Sequence, residues 1–437
     1  MIRIMLVDDE QYYFRFLKKM IEDIDNDFCI VGEAFDGLEA LEKLPFIMPD
    51  ILITDIRMPV MDGLKLIEEV KNSFPDIICV ITSAYSDFEY MRKAIQIDSE
   101  DYLLKPITNK SMEELLPKLK EKCHTIRSQN EIRKLQTAIY GEKIPASYTC
   151  DLHEHYSILL CCAGAFCRLG VDPINPGKVF WETVDINYML KDVIQQGIEF
   201  WIFDSKRENE KIILLGYTND MQEEFLETTK NITNILRCFD IPMTILYKHG
   251  VSGLNNISLA ISALRAMMIK KIQFANSITL DMDNISEDIT EDITEDITEV
   301  EPISLGSSFF EKMSLSFNKF EEKVIQEGMK ELFKLCEKNK CTQIYLESVL
   351  KTLFVILEKE KLLKGSNELI QASMQIDELI ENSINYEELL EGVMYLLNDL
   401  LEHYIRTYEK NPYQIDIVNQ VENYLKQNYS SIITMQI

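Results

Sequence analysis

Acids, a serine and a lysine that could together handle a phosphoryl group lie in the first quarter of the chain. Asp8-Asp9-Glu10 follows the apolar run Ile2–Val7, and Asp55 opens the stretch Asp55-Ile56-Arg57-Met58-Pro59-Val60-Met61-Asp62-Gly63. Ser83-Ala84 and Lys105-Pro106 each close a further apolar run. Carboxylates crowded together raise one another's pKa. A hard divalent cation with oxygen ligands relieves that crowding, and Mg²⁺ takes only a few carboxylates and keeps several waters. Such a cation beside Asp55 would neutralise the oxygens of an incoming phosphoryl group. Lys105 adds a fixed positive charge, and the Ser83 hydroxyl can donate a hydrogen bond to a phosphoryl oxygen. A carboxylate nucleophile, a metal and a lysine describe the formation of an aspartyl phosphate.

These residues are far apart in sequence, so a fold must gather them. Residues 1–122 alternate short apolar runs (Ile2–Val7, Phe28–Ala34, Ile51–Thr54, Ile77–Thr82, Tyr102–Leu104) with amphipathic stretches such as Gln11–Ile24 and Asp62–Ser73. Runs buried on both faces and linked by helices imply a doubly wound, parallel α/β sheet. Sites in such sheets form outside the carboxyl ends of the strands, where every residue named above falls.

Beyond it, residues 123–150 are expected to be a helical linker that extends the last helix of the first domain. Ser111-Met112-Glu113-Glu114 is a capping-box pattern, but Pro117 sits too deep for a regular helix, which either starts near it or kinks there. Residues 151–283 read β-α-β-β-α-β, the order of an α+β, ferredoxin-like domain. The expected strands are Ser157–Ala163, Ile198–Phe203, Ile212–Tyr217 and Pro242–Tyr247, with helices over Lys178–Gln196, Met221–Phe239 and Leu254–Lys271. Residues 284–302 carry a tandem Thr-Glu-Asp-Ile repeat, and Asp281 to Glu301 holds ten acids and no base, as a solvated linker would. Residues 303–410 show helical periodicity, with Leu346, Val349, Leu350, Leu353 and Leu357 on one face. One more helix is expected within 411–437.

The 437 residues carry 45 basic and 73 acidic side chains, a net charge of −28, which disfavours non-specific binding to nucleic acid or anionic lipid. With 46% apolar residues the chain can bury real cores. No secretory signal or membrane span is apparent, and ten cysteines without a CxxC pair read as free thiols, so a cytoplasmic protein is expected.

Residues 1–122 resemble the receiver domain of two-component response regulators. The resemblance rests on the acid pair, the Asp-x-x-Met-Pro-x-Met-Asp-Gly run with its turn residues Met58, Pro59, Asp62 and Gly63, the Ser-Ala pair and Tyr-x-x-Lys-Pro. It implies a flavodoxin-like fold and phosphorylation of Asp55 by a sensor histidine kinase. It places Asp8, Asp9, Asp55 and the backbone carbonyl of Arg57 around Mg²⁺, with Ser83 and Lys105 on the phosphoryl group. It makes Ser83 and Tyr102 the switch pair, and homodimerisation on phosphorylation is expected. Asp98-Ser99 stands where the family usually has Gly-Ala.

Ser86-Asp87-Phe88-Glu89-Tyr90 looks like receivers coupled to AraC-type DNA-binding domains, the YesN-like class, and 411–437 resembles the start of such a domain. Transcription regulation is the output this implies. Residues 411–437 hold one Lys and no Arg, so direct DNA binding by this chain is not expected, and output by protein contact is the alternative. Residues 151–283 resemble a degenerate GGDEF cyclase domain by element order. Asp204–Glu210 lacks the glycines catalysis would need, so the chain is expected to be a phosphoacceptor and not an enzyme. His153-Glu154-His155 reads as surface histidines with no third ligand in view, and Cys161, Cys162 and Cys167 as small buried hydrophobes.

Overall fold

A computed structural model describes residues 1–84, 88–97, 99–142, 153–167, 174–218, 221–284, 307–360, 362–363 and 366–409. The expectations for Ser86 and Asp87, for Asp98, and for the acidic repeats and 411–437 lie outside these residues. The chain forms two compact units, Met1–Lys134 and Leu135–Ile437.

In the first unit five strands alternate with helices: β1 (Ile2–Val7), α1 (Gln11–Ile24), β2 (Phe28–Ala34), α2 (Gly37–Ile47), β3 (Ile51–Asp55), α3 (Gly63–Ser73), β4 (Ile78–Ser83), α4 (Phe88–Gln96) and β5 (Asp101–Leu104). All pairs are parallel and the sheet order is β2-β1-β3-β4-β5, the flavodoxin-like arrangement. The central strands are buried on both faces, which is why they read as unbroken apolar runs. Ile4, Leu6 and Ile53 pack on one face with Phe14, Leu17 and Ile21 of α1, residues at the spacing of one helix face. Met5, Val7 and Leu52 pack on the other with Leu66, Ile67 and Val70 of α3.

The helix α5 runs from Asn109 to Tyr140 and contains Pro117. Thr108 and Ser111 cap its start reciprocally, each side-chain oxygen accepting the other's backbone N–H. The helix therefore begins ahead of the proline and continues through it. Met112, Leu115, Leu116 and Leu119 are buried in the first unit, and Leu135, Ala138 and Ile139 in the second.

The second unit contains a sheet of β6 (His155–Ala163), β7 (Glu199–Asp204), β8 (Glu210–Tyr217), β9 (Met243–Val251) and β10 (Ile278–Asp281) in the order β10-β9-β6-β8-β7. The first four pair antiparallel, and β10 joins β9 in parallel as a strand the sequence reading did not include. The helix expected over Lys178–Gln196 is two helices, α6 (Pro176–Thr183) and α7 (Ile186–Lys191). Val184 between them is extended, and the Asp185 carboxylate accepts the Tyr188 N–H, so a fresh N-cap interrupts the run. The remaining helices beside the sheet are α8 (Gln222–Leu236) and α9 (Ile257–Lys271).

Five helices follow among the described residues: α10 (Ser307–Asn318), α11 (Glu322–Lys338), α12 (Gln343–Lys359), α13 (Ser366–Asn382) and α14 (Tyr386–Glu409). Leu346, Leu350, Leu353 and Leu357 of α12 lie in one core with Leu389, Val393 and Leu397 of α14. That core also takes in Ala165 and Phe274 from the sheet-containing part. Gln343 clamps the two parts together. Its Oε1 accepts the Phe166 N–H and its Nε2 donates to the Phe166 carbonyl, both at 2.8 Å. No described helix is long and apolar enough to cross a membrane.

Candidate functional site

Strand register gathers the site. Val7 pairs with Thr54, Asp55 with Thr82, and Ser83 with Leu104. Asp8, Asp55, Ser83 and Lys105, each at or one step past a strand end, therefore meet at one edge of the sheet. One carboxylate oxygen from each of Asp8, Asp9 and Asp55 lies within 4.8 Å of the others. Lys105 Nζ donates to Asp8 Oδ2 at 2.6 Å and stands 3.3 Å from Asp55 Oδ2. The Lys105 N–H donates to the Ser83 carbonyl at 2.7 Å, which fixes where the lysine leaves the sheet.

Burial pushes the Asp55 carboxyl above its usual range; the charge of Asp8 adds to this, and Lys105 works against it. Burial alone would lower Lys105, but the Asp8 hydrogen bond and the charges of Asp55 and Asp8 outweigh it and hold the ammonium above its ordinary value. Both shifts describe one tight cluster that carries more negative than positive charge.

The turn after Asp55 is held by backbone. Ile56 N–H donates to the Thr82 carbonyl at 3.2 Å, and Gly63 N–H donates to the Ile56 carbonyl at 2.9 Å. A Cβ on Gly63 would stand 2.0 Å from the Asp55 carbonyl oxygen, so glycine is required there. Asp62 caps α3 by accepting the Lys65 N–H at 2.8 Å. Met58 packs partly buried under the sheet, Pro59 is exposed, and Val60 takes a left-handed conformation at φ 64°. Arg57 is exposed on the same turn. Ser83 is buried, and Tyr102 is half-buried on the face that carries Met58.

One contributor, Tyr13, escaped the sequence reading. Lys105 Nζ lies 4.3 Å from the centre of the Tyr13 ring, a cation–π contact from α1. Asp8 Oδ1 accepts the Glu10 N–H at 3.0 Å, which aims the carboxylate. Tyr13 gave no signal because its position on the helix is that of any core residue.

A parallel sheet in this order with three carboxylates and a lysine at its carboxyl edge defines a receiver-type α/β domain. Residues 4–117 match the response regulator receiver domain family. An uncharacterized response regulatory protein of Staphylococcus epidermidis is 40% identical over 116 residues, 26% of this chain and 45% of that protein. The uncharacterized transcriptional regulatory protein YesN of Bacillus subtilis is 36% identical over 124 residues, 28% of this chain and 34% of YesN. The transcriptional regulatory protein HptR of Staphylococcus aureus is 37% identical over 130 residues, 30% of this chain and 51% of HptR. The match thus spans about half or less of each relative, and the N-terminal unit holds a response regulator receiver domain.

Proposed function

We propose that the chain is a response regulator whose input is phosphorylation of Asp55 by a sensor histidine kinase. The observation that carries this reading is Lys105 Nζ bridging Asp8 and Asp55 at 2.6 and 3.3 Å inside a group of three carboxylates. A carboxylate oxygen of Asp55 attacks phosphorus, the P–N bond of the kinase phosphohistidine breaks, and the imidazole departs. The donor set is all oxygen and crowded, which fits a hard cation. Asp8, Asp9, Asp55 and the Arg57 carbonyl would hold Mg²⁺, which neutralises phosphoryl charge when bound. Lys105 exchanges its Asp55 contact for a phosphoryl oxygen, and the Ser83 hydroxyl donates to another. Ser83 and Tyr102 then act as the switch pair, and the face made by α4 and β5 promotes homodimerisation.

The names of YesN and HptR support transcription regulation as the output, and the Ser86-Asp87-Phe88-Glu89-Tyr90 run is the sequence feature behind reading it as DNA recognition of the AraC-coupled kind. The net charge of −28 supports a second reading, output through protein contact without DNA. The order β9-β6-β8-β7 with antiparallel pairs supports a ferredoxin-like middle domain related to GGDEF folds and without cyclase activity.

The test is incubation with acetyl phosphate and Mg²⁺ followed by intact mass. A single phosphoryl adduct is expected, lost in Asp55→Asn and suppressed by EDTA. An adduct at full yield in Asp55→Asn overturns the assignment, and one indifferent to EDTA overturns the metal role. Beryllofluoride is expected to raise the sedimenting mass, and an unchanged value counts against dimerisation.

A further inference from the structure

The edge of the second unit's sheet places an imidazole between two carboxylates. In the parallel pair of β9 and β10, Asp281 sits opposite Tyr247. Paired residues project to the same face, and the two-residue period of a strand brings His249 to that face as well. A 3-10 turn, Met282–Asn284, then carries Asp283 back over β9, where its Oδ2 accepts the backbone N–H of His249 at 2.8 Å. One ring nitrogen of His249 and one carboxylate oxygen from each of Asp281 and Asp283 lie within 4.8 Å of one another.

An independent contact from β6 holds the ring. His249 Nδ1 is 2.8 Å from the Oγ of Ser157, a fully buried residue. The Ser157 hydroxyl donates to the Lys248 carbonyl at 3.3 Å. A hydroxyl has one proton to give; with it on the Lys248 carbonyl, the imidazole donates from Nδ1 and keeps on Nε2 the lone pair that metal ligation needs. This is how metal-bound histidines are held, with the far ring nitrogen donating to a polar partner that fixes tautomer and orientation. The rings of Phe225 and Tyr247, both with centroids 4.8 Å from that of His249, brace the imidazole. Lys248 Nζ pairs with Asp283 Oδ1 at a long 3.5 Å on the exposed side, where a divalent ion can displace it.

We infer that His249, Asp281 and Asp283 form a binding site for a transition-series divalent cation, with Zn²⁺ the best match. One imidazole nitrogen and two carboxylate oxygens are a tetrahedral zinc set with one position open to water or an external ligand. The all-oxygen cluster of Asp8, Asp9 and Asp55 prefers the harder Mg²⁺, so the two sites can be separated.

The test is calorimetric titration of the full chain with Zn²⁺ in excess Mg²⁺. One equivalent is expected to bind, with at least tenfold weaker binding in His249→Ala and unchanged binding in Asp55→Asn. Asp283→Asn keeps an oxygen for the His249 backbone N–H, so it spares the fold, and it is expected to weaken binding comparably. X-ray absorption at the zinc edge is expected to show one imidazole in the metal's shell. Wild-type affinity in both His249→Ala and Asp283→Asn, or a shell without imidazole, overturns the site.

Discussion

Gly63 and the Asp55 carbonyl meet so closely that one methyl group decides the geometry of the candidate site. The added carbon of Gly63→Ala would stand 2.0 Å from that oxygen and 3.0 Å from Thr54 Oγ1, both fixed by the sheet. We expect a loss of roughly 3 kcal/mol or more in urea unfolding, since backbone must shift to make room. Asp55 itself works against the fold at neutral pH. Its folded pKa is raised, so its contribution favours the fold below the unfolded value and fades as pH rises through the folded one. In EDTA, Asp55→Asn should therefore unfold at a higher temperature than wild type at neutral pH, and this gain should shrink on acidification. Equal midpoints at both pH values would refute that sign. Added Mg²⁺ should stabilise the wild type more than the variant, because it binds the folded carboxylates. Asp8, Asp55, Ser83 and Lys105 were legible in sequence because each closes an apolar run. Tyr13 was not, because its contact with Lys105 crosses between elements that no local pattern links.

Among the elements, strands buried on both faces were the most legible, since each reads as a short apolar run that ends at a polar or charged residue. Helix ends were less so. The break between α6 and α7 follows from one Asp185 cap inside a stretch whose apolar spacing continues across it. The short strand β10 has only four residues and lies at the sheet edge, where periodicity has little to show. The expectation that thiols on and beside β6 are packing groups leads to a chemical test. Burial pushes Cys167 and Cys123 up to about 12 and raises Cys161 and Cys162 further from reactivity, whereas Cys238 is exposed. Iodoacetamide at about pH 8 should label Cys238 quickly and leave those four unlabelled until the chain unfolds, as read by peptide mass. Fast native labelling of Cys161 or Cys162 would mean that the β6 face opens to solvent.

At the level of the whole molecule, the sequence does not reveal that the sheet and the helices of the second unit share a core. Apolar periodicity reports that a face is buried and is silent on what covers it. The partner of α12 is partly the loop after β6, through Gln343 and Phe166, 177 residues apart. Gln343→Ala would leave the Phe166 amide and carbonyl buried without this partner and deprive Glu347 of its 2.8 Å contact. A cost of about 2 to 4 kcal/mol is expected by denaturant unfolding. A second tie, Asn175 Nδ2 donating to the Glu381 carbonyl at 2.7 Å, joins the same two parts. Sheet and helices are thus placed by direct contact and not by the length of chain between them. A tandem tetrapeptide is a sequence prone to gain and lose copies during replication. Because Gln343 and Asn175 hold the flanking parts in place, the gene can drift in repeat number between generations while the protein's architecture stays the same.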